Sequence, residues 1–262
     1  MVIDSHVHLS VCNHEGQTFS QIRDDLLLSM QVQGIDYAFV YADSEPDTGV
    51  ADLDTSWPLV KQQPRLLLLG TTTIPLADAQ IIEQLDQLAE TGDIIGIKLY
   101  PGFELFYPGD DDCYPVYELC VRHGMPVVFH AGETMEEAWR EAYNHPQEVA
   151  KAAQAFPGVA FVIAHFAQPH LKACREALFN YPNIYADISG LAHLDVEQRC
   201  GKKRIFELLT DVGQRRPEKI LFGTDWPICD VNAHLQLVSL LPIGGASKDL
   251  ILAGNAERVF GL

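Results

Sequence analysis

The chain has 262 residues, of which 47% are hydrophobic and 21% are charged, as in an ordinary globular protein. Acidic residues outnumber basic residues by 36 to 18, so the formal net charge is −18 at pH 7. A chain this acidic repels the phosphates of nucleic acids and anionic membrane surfaces, and we expect neither as a partner. No apolar run approaches the roughly 20 residues that span a membrane, and the first residues lack the pattern of a targeting segment.

The cysteines are scattered and form no C-x-x-C pair. They are Cys12, Cys113, Cys120, Cys174, Cys200 and Cys229. A chain of this length can bury a large core without disulfide bonds. We interpret the six as reduced thiols, which predicts a cytoplasmic protein; a catalytic thiol or a cysteine metal site is the alternative.

Short runs rich in β-branched residues recur along the chain, and segments with helical periodicity lie between them. The predicted strands are residues 2–8, 36–42, 65–73, 94–100, 126–131, 160–166, 184–189 and 220–225. The predicted helices are residues 20–33, 78–91, 115–123, 147–156, 169–180 and 203–214. Gly34, Gly92 and Gly124 mark three helix ends.

Eight strands that alternate with helices predict a (β/α)8 barrel, one α/β domain over residues 1–262. A doubly wound open sheet is the alternative. Active sites of such barrels lie at the carboxyl ends of the strands. The long segments 43–57, 101–113 and 190–201 follow strands, so we predict that they are loops that shape a pocket mouth.

The first strand carries a pair of histidines. Asp4, His6 and His8 alternate along it, and their side chains therefore point to the same side of the sheet. Two neutral imidazoles this close suit zinc and other divalent transition metals. Alone the pattern is weak, because two histidines packed on a strand look the same in sequence.

Other predicted strands also end in one ionisable residue after an apolar run. These are Lys98 on the fourth strand, His130 on the fifth, His165 on the sixth and Asp225 on the eighth. Buried ionisable groups need partners, and five strands that end in this way are unlike a chance pattern. The sequence therefore predicts a metal site where these strand ends meet.

In these residues the chain resembles the amidohydrolase superfamily, and specifically amidohydrolase-related family 2, from Asp4 to the C-terminus. The strand-eight sequence Gly-Thr-Asp-Trp-Pro and Lys98 fit family 2 better than the TatD-like nucleases, which also begin with H-x-H. Residues 252–260 resemble the closing helix of the family, which we interpret as structural. Only three residues precede Asp4, so we expect a barrel without the small β-sandwich domain of larger members.

The resemblance implies that His6, His8, His130, His165 and Asp225 surround the metal. We predict one zinc ion held by His6, His8, His130 and Asp225, with an open position for water or substrate. A second metal would use Lys98, carboxylated, together with His165. Alternatively, the Lys98 ammonium pairs with Asp225, Glu104 or a substrate carboxylate.

The implied reaction is attack by a metal-activated water on the carbonyl of an amide, lactone or ester in a small molecule. Asp225 and His165 would transfer protons. One alternative is a metal-dependent decarboxylase of an unsaturated or aromatic acid, in which Lys98, or less well Arg140, holds the carboxylate. Another is a non-catalytic metal-binding barrel.

Further polar residues near the strand ends are candidates for substrate contact: Tyr100, Glu133, Ser189, His193 and Trp226. We expect Asp4 to orient the histidine pair, as carboxylates near ligating histidines do. A homo-oligomer is compatible with the sequence.

Overall fold

A computed structural model describes residues 1–44, 48–76, 80–134 and 137–262, and it contains eight parallel strands paired in chain order. They are β1 (Ile3–Val7), β2 (Tyr37–Tyr41), β3 (Leu66–Thr71), β4 (Ile97–Leu99), β5 (Val127–Phe129), β6 (Phe161–Ile163), β7 (Ile184–Asp187) and β8 (Ile220–Leu221). The end of β8 returns to β1, where the Ser5 amide donates to the Phe222 carbonyl (2.9 Å) and the Asp225 amide to the His6 carbonyl (2.8 Å). The predicted single-domain (β/α)8 barrel is confirmed.

The helices lie between and after the strands. They are α1 (Phe19–Gln33), α2 (Leu53–Val60), α3 (Gln80–Glu90), α4 (Tyr114–His123), α5 (Pro146–Ala155), α6 (Leu171–Asn180), α7 (Leu194–Cys200), α8 (Lys202–Arg215), α9 (Val231–Leu240), α10 (Gly245–Asp249) and α11 (Asn255–Phe260). The predicted helices agree with α1, α3, α4, α5, α6 and α8 to within about two residues, although residues 78 and 79 lie outside the described residues. Among the described residues, no helix combines the length and apolar composition that a membrane span requires.

Two segments predicted as loops contain short helices, which corrects the prediction. Within residues 43–57, of which 45–47 lie outside the described residues, α2 begins after Asp52, whose carboxylate accepts the Thr55 amide (2.9 Å). Within residues 190–201, α7 follows His193. Helices of seven or eight residues give little periodicity, and Pro58 inside α2 also argues against a helix in the sequence.

Two apolar layers support the barrel. The larger one packs the outward side chains of the strands against the helices. The smaller one fills the barrel interior, with Phe39, Leu69, Val128, Val162 and Leu221 among its buried residues. This alternation of inward and outward side chains leaves the carboxyl ends of the strands as the place where inward polar side chains collect.

The strands are shorter than predicted at their carboxyl ends. β5, β6 and β8 end at Phe129, Ile163 and Leu221, so His130, His165 and Asp225 follow the ladders instead of lying within them. The backbone has left the extended conformation at two of these residues, since φ is +57° at His165 and +70° at Asp225. The chain turns there into the connecting loops, and this turn directs the polar side chains into the barrel mouth.

Candidate metal centre

His6, His8 and Asp225 converge at the mouth of the barrel. His6 Nε2 lies 3.3 Å from His8 Nε2, and Asp225 Oδ1 lies 3.7 Å and 3.5 Å from these two nitrogens. Ligand atoms about 2.1 Å from a tetrahedral zinc ion stand about 3.4 Å from one another. The three atoms therefore have the spacing of one face of a metal coordination shell.

The hydrogen bonds behind the two rings decide where their protons lie. His6 Nδ1 lies 2.9 Å from the Asp187 carboxylate, and His8 Nδ1 lies 3.1 Å from the Tyr41 carbonyl. Both partners only accept hydrogen bonds, so each neutral ring carries its proton on Nδ1 and a lone pair on Nε2. Two ring lone pairs and a carboxylate oxygen thus face one another, and a cation would stabilise this arrangement.

Burial keeps the histidines of the site neutral, which is the form that binds metals. It lowers the pKa of His8 and of His130 to about 3, and the positive charge of Lys98 contributes in both cases. The pKa values of His6 and His165 also lie well below the usual value, mainly because of burial. Burial raises the pKa of Asp225 to about 7, while Lys98 opposes that rise.

Asp4 fixes the approach of the last strand to the first. Its carboxylate accepts the Thr224 amide (2.9 Å), the Thr224 hydroxyl (2.6 Å) and, more weakly, the His6 amide (3.3 Å). A Cβ at Gly223 would lie 2.9 Å from the His6 Cβ, so the close approach requires glycine there. These hydrogen bonds join Asp4 to Thr224 and to the main chain of His6. Asp4 therefore orients the backbone around the candidate ligands, rather than the imidazole rings themselves.

His165 belongs to a second cluster, which includes an acid that sequence reasoning missed. Asp187, the last residue of β7, is fully buried between His6 and the His165 backbone amide. Ser189 Oγ lies 2.8 Å from His165 Nδ1 and also bonds to Asp187. The sequence does contain a signal for this acid. Asp187 ends an apolar strand, as the other candidate site residues do, and Ser189 follows two positions later.

His130 lies beside this cluster and outside the triangle of His6, His8 and Asp225. Its ring centroid is 5.1 Å from that of His165, and its Nε2 donates to the Glu133 carbonyl (3.0 Å). Since a carbonyl only accepts, the lone pair of the neutral ring is on Nδ1. Any metal bond of His130 in this tautomer would use Nδ1.

Lys98 is buried at the end of β4, and its side chain points into the barrel. Its Nζ lies over two aromatic rings, 4.9 Å from the centroid of Tyr41 and 5.1 Å from that of Tyr100. Burial lowers its pKa to about 8, an effect that the charges of Asp187, Asp225 and Asp43 partly offset. The Lys98 ammonium group is thus stabilised by the faces of two aromatic rings and by more distant carboxylates.

A family model described as Amidohydrolase matches residues 3–262, almost the whole chain. The chain belongs to the amidohydrolase-2 family. This confirms the family that the H-x-H pair and the strand-end residues suggested. No protein of curated function matches the sequence.

Several solved structures share the fold of this chain over nearly their full length. An uncharacterised TIM-barrel protein from Bordetella bronchiseptica has a TM-score of 0.78 and 20% identity, covering 99% of this chain and 98% of that one. A probable 2-pyrone-4,6-dicarboxylic acid hydrolase from Acinetobacter baumannii, with citric acid bound, has a TM-score of 0.70 and 15% identity. The match covers 100% of this chain and 99% of that one. A dihydroxybenzoic acid decarboxylase from a Polaromonas species, with bound manganese and an inhibitor, has a TM-score of 0.68 and 14% identity. The match covers 100% of this chain and 97% of that one.

Identities this low show a common fold. The family and these neighbours include enzymes of two reaction classes, hydrolases and decarboxylases. The family is typically metal-dependent, in agreement with the donor set of His6, His8 and Asp225.

The candidate substrate residues lie in the segments that follow β4, β5, β7 and β8. Tyr100 donates to the Ala42 carbonyl (2.7 Å), and Glu133 forms an ion pair with Arg199. His193 Nδ1 stands 4.0 Å from an Asp195 carboxylate oxygen, while Trp226 packs its ring 5.2 Å from that of His14 and is 8% exposed. These contacts stabilise the loops, so substrate contact by these residues stays a prediction.

Proposed function

We propose that the chain is a metal-dependent hydrolase that acts on the carbonyl group of a lactone, ester or amide in a small molecule. The observation that carries the proposal is the triangle of His6 Nε2, His8 Nε2 and Asp225 Oδ1, with edges of 3.3–3.7 Å. The side chains of His8 and Asp225 are 11% and 13% exposed, so the triangle borders the mouth. A divalent ion held there would polarise a carbonyl and lower the pKa of a water molecule.

The remaining roles follow from the positions of the side chains. His130 is the predicted fourth ligand, through Nδ1. His165 and Asp225 are the groups that we propose accept and return the proton of the attacking water. We propose zinc as the ion, because two imidazoles and one carboxylate suit it, although the Polaromonas relative contains manganese.

We propose one ion per chain. Lys98 Nζ lies against the rings of Tyr41 and Tyr100, and His165 Nδ1 bonds to Ser189. These contacts support an unmodified lysine and a hydrogen-bonded histidine, whereas a second metal site would need both residues as ligands. The predicted site at Lys98 and His165 is therefore the less favoured arrangement.

Lys98 supports decarboxylation as a second candidate function. A buried ammonium that faces the barrel mouth is a natural partner for a substrate carboxylate, and burial lowers the pKa of Lys98 to about 8. The solved neighbours include decarboxylases of aromatic acids as well as a hydrolase. The same site would then cleave a carbon–carbon bond.

Product analysis in ¹⁸O-labelled water tests the two reactions. The zinc-loaded chain is incubated with a panel of lactones and esters, including 2-pyrone-4,6-dicarboxylate, and with dihydroxybenzoic acids. We expect ¹⁸O in the product carboxyl group and no carbon dioxide. Carbon dioxide without ¹⁸O incorporation would establish the decarboxylase, and a metal-loaded protein without turnover would support the non-catalytic barrel.

A matched pair of substitutions links the activity to the site. We expect Asp225→Asn to reduce kcat/KM by at least about 100-fold, because it removes both a ligand and a proton acceptor. Asp24→Asn makes the same change at an exposed position of α1 and should leave kcat/KM unchanged. Equal rates for the two variants would exclude Asp225 from the machinery.

We further propose a small-molecule substrate and a cytoplasmic location, the latter supported by the six free cysteines. That nucleic acids are not partners stays a prediction from the net charge of −18. Size-exclusion chromatography with light scattering would decide whether the chain forms a homo-oligomer.

A further inference from the structure

The Asp187 carboxylate at the end of β7 accepts hydrogen bonds from three elements of the barrel. Oδ2 faces His6 Nδ1 at 2.9 Å. Oδ1 accepts the backbone amides of His165 and Ser189, both at 3.0 Å, and also the Ser189 hydroxyl. All these residues are nine-tenths or more buried, so water does not replace the contacts.

The chemistry of these groups fixes the direction of every bond. An ionised carboxylate only accepts, and a serine hydroxyl has one proton to donate. Ser189 therefore donates to Asp187 and can only accept from His165 Nδ1, which lies 2.8 Å away. His165 consequently carries its ring proton on Nδ1, and its Nε2 is left with the lone pair.

We propose that Asp187 and Ser189 are positioning residues that set the tautomers of two histidines at once. Asp187 directs the lone pair of the candidate ligand His6 toward the metal triangle. Through Ser189 it gives His165 a basic Nε2, as a proton acceptor requires. One buried carboxylate thus connects the ligand on β1 with the base after β6, an inference that rests on the proposed metal centre.

The backbone at His165 supports the same role for Asp187. His165, Phe166 and Ala167 have φ values of +57°, +49° and +49°, in the left-handed region that residues with a Cβ rarely adopt. The Asp187 carboxylate accepts the first amide of this segment. The acid therefore fixes the main chain as well as the ring of His165.

A metal ion at this second cluster is the competing interpretation, since one ligand atom each from His6, His165 and Asp187 lie within 4.8 Å of one another. Ser189 Oγ already stands 3.1 Å from His6 Nδ1 and 2.8 Å from His165 Nδ1. Its hydroxyl and the carboxylate satisfy both ring nitrogens. The geometry therefore favours a hydrogen-bonded network over a second ion.

Nitrogen-15 NMR of the histidine rings in the metal-free 262-residue chain tests the proposal. We expect both His6 and His165 to be protonated on Nδ1, with signals assigned from His6→Asn and His165→Asn. In Ser189→Ala, His165 should lose this preference while His6 keeps it. Asp211→Asn changes a carboxylate on α8 that pairs with Arg175 and Arg215, and it should leave both tautomers unchanged.

Metal affinity gives a second readout. Replacement of groups that hydrogen-bond to ligating histidines typically weakens metal binding 10–100-fold. We expect Asp187→Asn to weaken zinc binding by about that factor, measured by competition with a chromophoric chelator, and Ser189→Ala to weaken it less. If Asp187→Asn does not fold by circular dichroism, the comparison of Ser189→Ala with the natural chain remains decisive.

Two results would overturn the proposal. One is an Nε2-protonated His6 or His165 in the natural chain, and the other is an unchanged His165 tautomer in Ser189→Ala. The tautomers are measured without metal or substrate. A chain with the expected tautomers but no hydrolysis would contradict the proposed function and leave this inference intact.

Discussion

At the scale of one residue, Lys98 shows how the barrel interior affects a buried charge. The side chain is 1% exposed, and burial lowers its pKa from 10.5 to about 8. Below pH 8 the folded protein therefore contains a buried ammonium that would be better solvated in the unfolded chain. We propose that this position is kept for function at a cost in stability, as is common for active-site groups.

We expect Lys98→Met to stabilise the metal-free protein at pH 7 by up to about 3 kcal/mol, because burial lowers the pKa of Lys98 from 10.5 to about 8. The folded-state pKa is the lower one, so the unfolded chain binds more protons between pH 8 and 10.5 and wild-type stability rises across that window. The advantage of the variant should shrink accordingly. Urea denaturation of both proteins at pH 7 and pH 10 measures it.

Lys219→Met is the matched control, since Lys219 is also buried and has a pKa lowered to about 8. Its ammonium donates to the carbonyls of Tyr181, Pro182 and Ile184. The substitution removes a charged donor from these three carbonyls and should destabilise the protein. A Lys98→Met effect that does not vary with pH would contradict the assigned cause.

The sequence predicted the residue types of the site better than their partners. His6, His8 and Asp225 could be selected because alternation and strand ends are local features, and the structure brings them together. Asp187 ends its strand as the selected residues do, but its partners His6 and His165 lie 181 and 22 positions away, so its role could be identified only in the structure. The orientation of His130 depends on the Glu133 carbonyl in a turn, which no periodic pattern encodes.

At the scale of elements, the loops after β5 and β6 depend on one close contact. Gly132 has φ of +97°, and a Cβ there would lie 1.9 Å from the Gln168 carbonyl oxygen. The neighbouring Glu133 amide donates to that oxygen at 2.8 Å. The two loops that carry His130 and His165 therefore contact each other through backbone atoms.

We expect Gly132→Ala to destabilise the protein by about 3 kcal/mol or more, because the methyl group would force the loops apart. Gly158→Ala is the control at an exposed glycine with no neighbour within 4 Å of the added Cβ, and it should change stability by less than about 0.5 kcal/mol. Thermal unfolding of both variants gives the comparison. Similar melting temperatures of the two variants would mean that the loops can separate without loss of stability.

The elements themselves were largely predictable. Eight apolar strands and the glycine-terminated helices α1 and α4 carry strong periodic or capping signals, and Gly34 and Gly124 do end these helices in the left-handed conformation. The helices α2 and α7 were not predicted, because short helices obtain their stability from packing and caps such as Asp52. Strand ends were overestimated where the chain turns into a loop within an apolar run.

At the scale of the whole molecule, we expect metal binding to stabilise the barrel. An ion that binds only the folded state contributes about 4 kcal/mol at a free concentration 1,000 times its Kd. We predict one zinc ion per chain by elemental analysis and a higher Tm with zinc than after chelation. Asp225→Asn should show little of this shift, and two ions per chain would instead support the site at Lys98 and His165.

The junction between β8 and β1 determines when the candidate metal centre can form. β8 has only two ladder residues, and Thr224 meets Asp4 across 220 positions of sequence. During synthesis on the ribosome the binding site would be completed only when the final strand emerges, so an N-terminal fragment would lack it. In the folded protein an ion between His6, His8 and Asp225 would connect the first strand to the segment after the last one, in addition to the hydrogen bonds that already join them.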